Sequence, residues 1–342
     1  MNFTIIKKIP TAEEIIQAFP LSEEAHQNIA RDRQEVKDIL AGRDERTLVI
    51  VGPCSAWPFN AVLEYTERVK KLSDQVKDKL KLVMRVYIQK PRTTRGWTGP
   101  VNQPDPFAPP DVAEGIKYCR GLMVKILDMG MPIADEALFT HNAKGFLELL
   151  SWVAIGARSS EDQEHRIFAS AINCAVGMKN PTSGDVEIGV NSVVAAQHPH
   201  IAVFDGHQVE TSGNEFAHLV LRGGSSRPNY HIEDIMKAKK AMAENEVKNP
   251  AIVIDASHDN CKINGVNSVE RQIQVVREVM SNLREFPELR KIVRGFMIES
   301  FLKPGNQKLN PDSPDSVDMG GLSITDPCLG WKETERLIGD LV

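Results

Sequence analysis

The chain has 342 residues and a formal net charge of −5, with 41 Lys and Arg set against 46 Asp and Glu. That length holds one large α/β barrel or two medium domains, and 42% hydrophobic with 25% charged residues is ordinary for a globular chain. No basic stripe points to nucleic acid, and no basic amphipathic helix or apolar run of about 20 residues points to a membrane. The five cysteines are odd in number, irregular in spacing and free of any CxxC. They argue for a reducing cytoplasm, not a disulfide scaffold, and "MNFTIIKKIPTAEEIIQAF" carries no secretory pattern.

In chain order, residues 1–45 are polar and helical. Thr11 with Glu14 has capping-box spacing. "SEEAHQNIARDRQEVKDILAG" places Ile29, Val36 and Leu40 on one face and ends at Gly42. This predicts an N-terminal helical extension (1–45) to a main domain (46–342). From residue 48, eight short apolar runs recur: 48–52, 82–88, 132–138, 152–158, 174–179, 218–224, 251–258 and 295–300. Helical patterns such as 61–72, 112–130, 232–245 and 268–283 lie between them. Strands alternating with helices imply a parallel sheet, and near-continuous apolar strands imply burial on both faces. Eight such units predict an α/β fold of the (β/α)8 TIM barrel type. The segment "HIAVFDGHQVET" (200–211), with its Asp-Gly turn, predicts an extra β-hairpin between the fifth and sixth strands. A doubly wound open sheet is the alternative, disfavoured by the count of eight. Two long Pro-rich loops, 89–111 and 303–331, are of the size that carries function.

Polar residues close these runs. In order they are Cys54; Arg85, Lys90 and Arg92; Glu136; Arg158; Lys179; Arg222; the stretch Asp255-Ala-Ser-His258; Glu299; and then Asp326. Each alone reads as a rim charge, but in a barrel these ends converge on the face where active sites are built. Arg85, Lys90, Arg158, Lys179 and Arg222 are five cations. Their burial calls for a ligand with several negative charges, such as a phosphate with a carboxylate. Cys54, His258, Glu299 and Asp326 form a mixed thiol, imidazole and carboxylate set. It suits zinc, iron, cobalt or manganese better than calcium or magnesium. The competing reading makes Cys54 a nucleophile with His258 as its base.

The motifs "GPCS", "RVYIQKPRTTRGW", "AIGARSSEDQEHR", "VGMKN", "LRGG", "DASHDN", "MIES", "GNQ" and "SITDPCLGW", in this order from residue 52 to 331, are specific as a set. By them the chain resembles the class I (AroA-type) 3-deoxy-D-arabino-heptulosonate 7-phosphate (DAHP) synthases, of the bacterial amino-acid-regulated group with a helical N-terminal extension. The resemblance implies a metal-dependent condensation of phosphoenolpyruvate with erythrose 4-phosphate, opening the shikimate pathway of aromatic amino acid biosynthesis. It further implies one divalent ion (Mn2+, Fe2+, Co2+ or Zn2+) on Cys54, His258, Glu299 and Asp326. Arg158, Lys179 and Arg222 match contacts to the phosphate and carboxylate of phosphoenolpyruvate, with Arg85 and Lys90 on its carboxylate side and Glu136 beside it. Arg92, Thr93 and Thr94 match the sugar-phosphate site, and Lys90 is placed to move protons. A homodimer or homotetramer in the cytoplasm is implied too. A related synthase with another aldose, or a non-catalytic homologue, stands as the alternative.

The chain departs from the family pattern at Ala56-Trp57-Pro58 (usually Ile-His-Asp), at Gln89 (usually Glu) and at "KNPTSG" (179–184; usually KNGTDG). These positions suggest altered handling of the acceptor. Asn173 in place of a serine, with an atypical hairpin, suggests weak or altered inhibition by an aromatic amino acid.

Overall fold

The computed structural model describes residues 1–92, 96–138, 144–204, 206–310 and 313–342. Eight parallel strands close into a barrel: β1 (Thr47–Gly52), β2 (Leu80–Arg85), β3 (Ile133–Glu136), β4 (Trp152–Ile155), β5 (Ala175–Lys179), β8 (Ala217–Leu221), β9 (Ile252–Asp255) and β12 (Val293–Glu299). They are the eight runs read from the sequence, and β1 pairs with β12 to close the ring. Between β5 and β8 stands the expected antiparallel hairpin, β6 (Ile201–Phe204) with β7 (His207–Glu210). Its Asp205 lies outside the described residues. A second hairpin, β10 (Lys262–Ile263) with β11 (Val266–Asn267), follows β9 and was not anticipated.

The helices are α1 (Ala12–Ala18), α2 (Glu23–Leu40), α3 (Phe59–Val76), α4 (Val112–Asp128), α5 (Gln163–Ala171), α6 (Val186–Gln197), α7 (Ile232–Glu244), α8 (Val269–Glu285) and α9 (Trp331–Gly339). Among the described residues, a 3-10 turn (Leu147–Leu149) is the only helical element between β3 and β4. The capping box of α1 forms as read, with Thr11 and Glu14 satisfying each other's backbone N–H groups. Helix α2 stops just before Gly42, whose φ of 74° suits the left-handed turn after a helix.

Strand alternation divides the core. Val49 and Val51 face the helices, whereas Leu48 and Ile50 face the barrel axis. Val36, Ile39 and Leu40 of α2 join that inner core, so α2 packs beneath the barrel next to the start of β1. Trp152 fills the interior, and Gly177 leaves room for its ring, since a Cβ there would collide with it. Trp152 Nε1 donates to His218 Nε2 (3.1 Å), and the His218 Nδ1 proton goes to the Phe216 carbonyl (2.9 Å).

Burial holds the His218 imidazole down to about 4 from its ordinary 6.5. The unfolded chain therefore takes up a proton at a higher pH than the folded one, and stability falls as pH drops from 6.5 toward 4. The loss attributable to this residue is about 3 kcal/mol. Urea unfolding at pH 7 and pH 4.5 should show it, and His218→Gln should flatten the difference. An equal acid loss in the variant would assign the effect elsewhere.

Candidate active site

The C-terminal ends of the strands open into a cavity of about 650 Å3, within the usual range for small-ligand sites. Lys90, Arg92, Glu136, Arg158, Lys179, Arg222, His258 and Asp326 line it. Cys54 and Glu299 lie buried at its floor and do not line it. Arg85 is deeper still. Its Nη2 donates to Glu299 Oε1 (2.8 Å), and its guanidinium stacks 3.9 Å from the centre of the Tyr87 ring. Thr93 and Thr94 fall outside the described residues.

The floor gathers the donors expected for a metal. Cys54 Sγ and one oxygen each of Glu299 and Asp326 lie within 4.8 Å of one another. His258 stands outside that group of three, with Nε2 3.8 Å from Glu299 Oε1. Its Nδ1 meets Asp255 Oδ2 and Ser257 Oγ, both at 2.9 Å, the support a ligating imidazole needs on its far nitrogen. A buried thiol and two carboxylates so close together fit a divalent cation of borderline softness. Burial, and then the Glu299 charge, push the Cys54 thiol up to about 12, with Lys90 opposing. Cys54 bonds to Asp326 Oδ2 (3.7 Å) and Lys90 Nζ (3.1 Å), and no hydrogen bond joins it to His258 among the described residues. A thiol held protonated, with no imidazole on it, is poorly set up as a nucleophile.

At least three of the five cations are paired with carboxylates, which corrects the simple picture of uncompensated positive charge. Arg85 meets Glu299; Lys179 Nζ lies 3.9 Å from Glu136 and 3.7 Å from Asp255; Arg222 Nη1 donates to Asp259. Burial works against the Glu136 carboxylate, but Lys179 and Lys90 outweigh it and hold its pKa below the usual range. What remains for a ligand is directional: Arg222 Nε and Arg85 Nη1 are buried without a hydrogen-bond partner.

Several contributors escaped the sequence reading. Tyr87, inside the quoted "RVYIQK", lies with its ring 3.9 to 5.9 Å from the charges of Arg85, Lys90 and Lys179. Asn180 receives the Arg222 backbone N–H on Oδ1 (2.8 Å) and donates to the Gly223 carbonyl (2.9 Å), fixing where Arg222 leaves β8. Asp259 and Lys262 add a further pair of opposite charges beside Arg222. The clue was the density of polar residues after "LRGG" and in "DASHDNCK".

The departures at Trp57 and Gln89 do not reach the cavity. Gln89 is buried and turns its oxygen to the Leu138 N–H (3.3 Å). Trp57 packs in a small core with Trp97, Val317 and Ile324, and its Nε1 donates to the Pro104 carbonyl (3.1 Å). This core joins the two long loops and carries Trp97, whose carbonyl accepts from Arg92 Nε (2.7 Å). Trp57→Ala should remove about 3 kcal/mol of local packing and loosen Arg92. If Arg92 serves the sugar phosphate, as the resemblance implies, KM for that substrate should rise about tenfold with KM for phosphoenolpyruvate nearly unchanged. Equal changes in both would point to a general loss of fold.

The model of the DAHP synthetase I family matches residues 18–338. The Tyr-sensitive phospho-2-dehydro-3-deoxyheptonate aldolase of Salmonella typhimurium is 39% identical over 336 residues, 97% of this chain and 91% of that protein. The Trp-sensitive enzyme of Escherichia coli K12 is 37% identical over 341 residues, 98% of this chain and 94% of that protein. The solved phospho-2-dehydro-3-deoxyheptonate aldolase of Francisella tularensis SCHU S4 superposes with a TM-score of 0.92 at 33% identity, covering 99% of this chain and 97% of that one.

Proposed function

The chain belongs to the DAHP synthetase I family, a transferase that condenses phosphoenolpyruvate with erythrose 4-phosphate to DAHP and phosphate, and on that premise we propose how the barrel mouth divides the work. Arg158, Lys179 and Arg222 bind the phosphate and carboxylate of phosphoenolpyruvate, with Glu136 setting the Lys179 ammonium in place. Arg85 supports the floor through Glu299. Arg92, with Thr93 and Thr94, takes the phosphate of the aldose and so orients its aldehyde toward the floor. Cys54, His258, Glu299 and Asp326 would hold a divalent ion, which when bound supplies Lewis-acid polarisation of the aldehyde oxygen. Carbon 3 of phosphoenolpyruvate then attacks the aldehyde carbon, water adds at carbon 2, and phosphate leaves by C–O cleavage. The protein's share is alignment of two anionic reactants and neutralisation of the departing phosphate. Lys90, donating to Cys54 O (2.7 Å) and Sγ (3.1 Å), stands between the floor and the cavity, where it can deliver a proton.

The observation that carries this reading is one cavity in which a thiol–carboxylate floor meets a wall of cations on neighbouring strand ends. Metal-loaded protein should consume phosphoenolpyruvate, followed by its ultraviolet absorbance, only when erythrose 4-phosphate is present, and a chelator should stop it. No consumption by protein with bound metal would overturn the assignment of the acceptor or of the site.

Three finer points belong to the same reading. Residues 1–45 form an extension in which α2 packs against the barrel, while Phe3, Ile5 and Ile6 are 64%, 82% and 93% exposed and available for subunit contacts. Light scattering should therefore report a homodimer or homotetramer, and a monomer would remove this role. Inhibition by an aromatic amino acid is weak or altered. Asn173 supports this, since its Oδ1 is engaged by Lys37 Nζ (3.4 Å); residues 139–143 of the region in question lie outside the described ones. Strong inhibition at micromolar concentration would reject it. No described helix is long and apolar enough to cross a membrane, and the five cysteines are free and buried, which supports a cytoplasmic setting.

A further inference from the structure

Asp259 presents a contradiction. Its buried carboxylate pairs with Arg222, a cation that the reading above assigns to the phosphate of phosphoenolpyruvate. By charge alone, an acid there should repel the ligand. Geometry resolves the conflict. Asp259 engages Nη1 of Arg222 and leaves Nε buried, without a hydrogen-bond partner, on a residue that lines the cavity. Its other oxygen pairs with Lys262, from the first strand of the β10–β11 hairpin. The three groups together carry one net positive charge.

The position of Asp259 is built into the fold. Next to it, Asn260 Nδ2 donates to the carbonyls of Leu221 (3.0 Å) and Asp255 (2.8 Å), tying the turn to the ends of β8 and β9. Gly223, at a φ of 84°, lets this turn lie against the end of β8, because a Cβ there would strike the backbone of Asp259 and Asn260. Lys262, Gly265, Val266 and Asn267 of the hairpin line the same cavity.

We propose that Asp259 and Lys262 are a positioning pair for Arg222, and that the β10–β11 hairpin belongs to the phosphoenolpyruvate site. Asp259 fixes the plane of the guanidinium so that its free edge faces the phosphate. Lys262 neutralises Asp259, so the fixing does not lower the affinity of the site for an anion. The proposal rests on the assignment of Arg222 to phosphoenolpyruvate, and the test separates the two.

Phosphoenolpyruvate binding to the metal-loaded full chain is measured by titration calorimetry, with thermal melting as the check on folding. Arg222→Ala should weaken binding about a hundredfold; unchanged binding would reject the assignment of Arg222 itself, and the proposal with it. Given that loss, Asp259→Ala should weaken binding about tenfold although it removes a negative charge, and Asp259→Asn, which keeps an acceptor for Nη1, should recover part of it. Lys262→Gln should also weaken binding, and the Asp259→Ala/Lys262→Gln pair should be no worse than Asp259→Ala alone. KM for erythrose 4-phosphate should stay within about twofold throughout. Tighter or unchanged binding in Asp259→Ala, or a further loss on adding it to Arg222→Ala, overturns the proposal: the first would make Asp259 a competing charge, the second a residue acting without Arg222.

Discussion

Cys54→Ala should leave a folded protein that no longer retains its divalent ion and turns over at least about a thousandfold more slowly. The thiol is fully buried, so its replacement removes a donor without opening the surface. It also removes the softest member of a set that otherwise offers carboxylate oxygens and an imidazole. With the thiol pushed up to about 12 by burial and the Glu299 charge, binding an ion there must displace its proton. Metal affinity should therefore rise with pH in the parent protein, and this dependence should weaken in the variant. Elemental analysis after dialysis, beside the activity assay, checks both halves. A variant that holds a full equivalent of metal would show that the thiol–carboxylate floor is not the binding site. One that loses metal yet keeps its rate would separate the metal from the chemistry.

The architecture was legible because its signals are local and repeated. Each barrel strand is a short apolar run buried on both faces, and β1 states this plainly, with Leu48 and Ile50 turned to the axis and Val49 and Val51 to the helices. Which polar residues gather at the mouth follows almost mechanically, because a parallel barrel brings all strand ends to one rim. Strand lengths were less legible. The run 82–88 reads as one strand, yet β2 ends at Arg85. Beyond it the Ile88 N–H leaves the ladder for Asp135 Oδ1 (3.2 Å), a side-chain acceptor that no periodicity reveals.

Side-chain direction was the larger gap. Arg85 does not line the cavity: its Nη2 goes to Glu299 and its guanidinium to the Tyr87 ring, while Nη1 keeps no hydrogen-bond partner. Trp57 looked like a change at the mouth and instead ties two loops together. Strands β10 and β11 are two residues each, too short for any alternation, although Asn264-Gly265 between them is a turn signal in its own right. Counter-charges such as Asp259 stay hidden for the same reason: a pairing across 37 residues leaves no local pattern.

If Lys90 delivers the proton as proposed, Lys90→Met should lower kcat about a thousandfold while changing KM for phosphoenolpyruvate much less. Lys90 is buried, with Nζ on Cys54 O and Sγ and 5.7 Å from the centre of the Tyr87 ring. Burial works against its charge, yet the neighbouring acidic groups, among them the Glu299 and Asp326 carboxylates, more than compensate, so its pKa lies above the ordinary value. It is therefore an ammonium at neutral pH, able to donate a proton or stabilise a developing oxyanion and unsuited to act as a free amine. Schiff-base chemistry needs the opposite, a lysine whose pKa is driven down so that the neutral amine can attack a carbonyl. Borohydride added during turnover should leave the mass of the protein unchanged, and a reduced adduct on Lys90 would reverse the assignment. A kcat within about tenfold of the parent in Lys90→Met would instead take the proton away from Lys90 and leave it as a charge balancing the carboxylates of the floor.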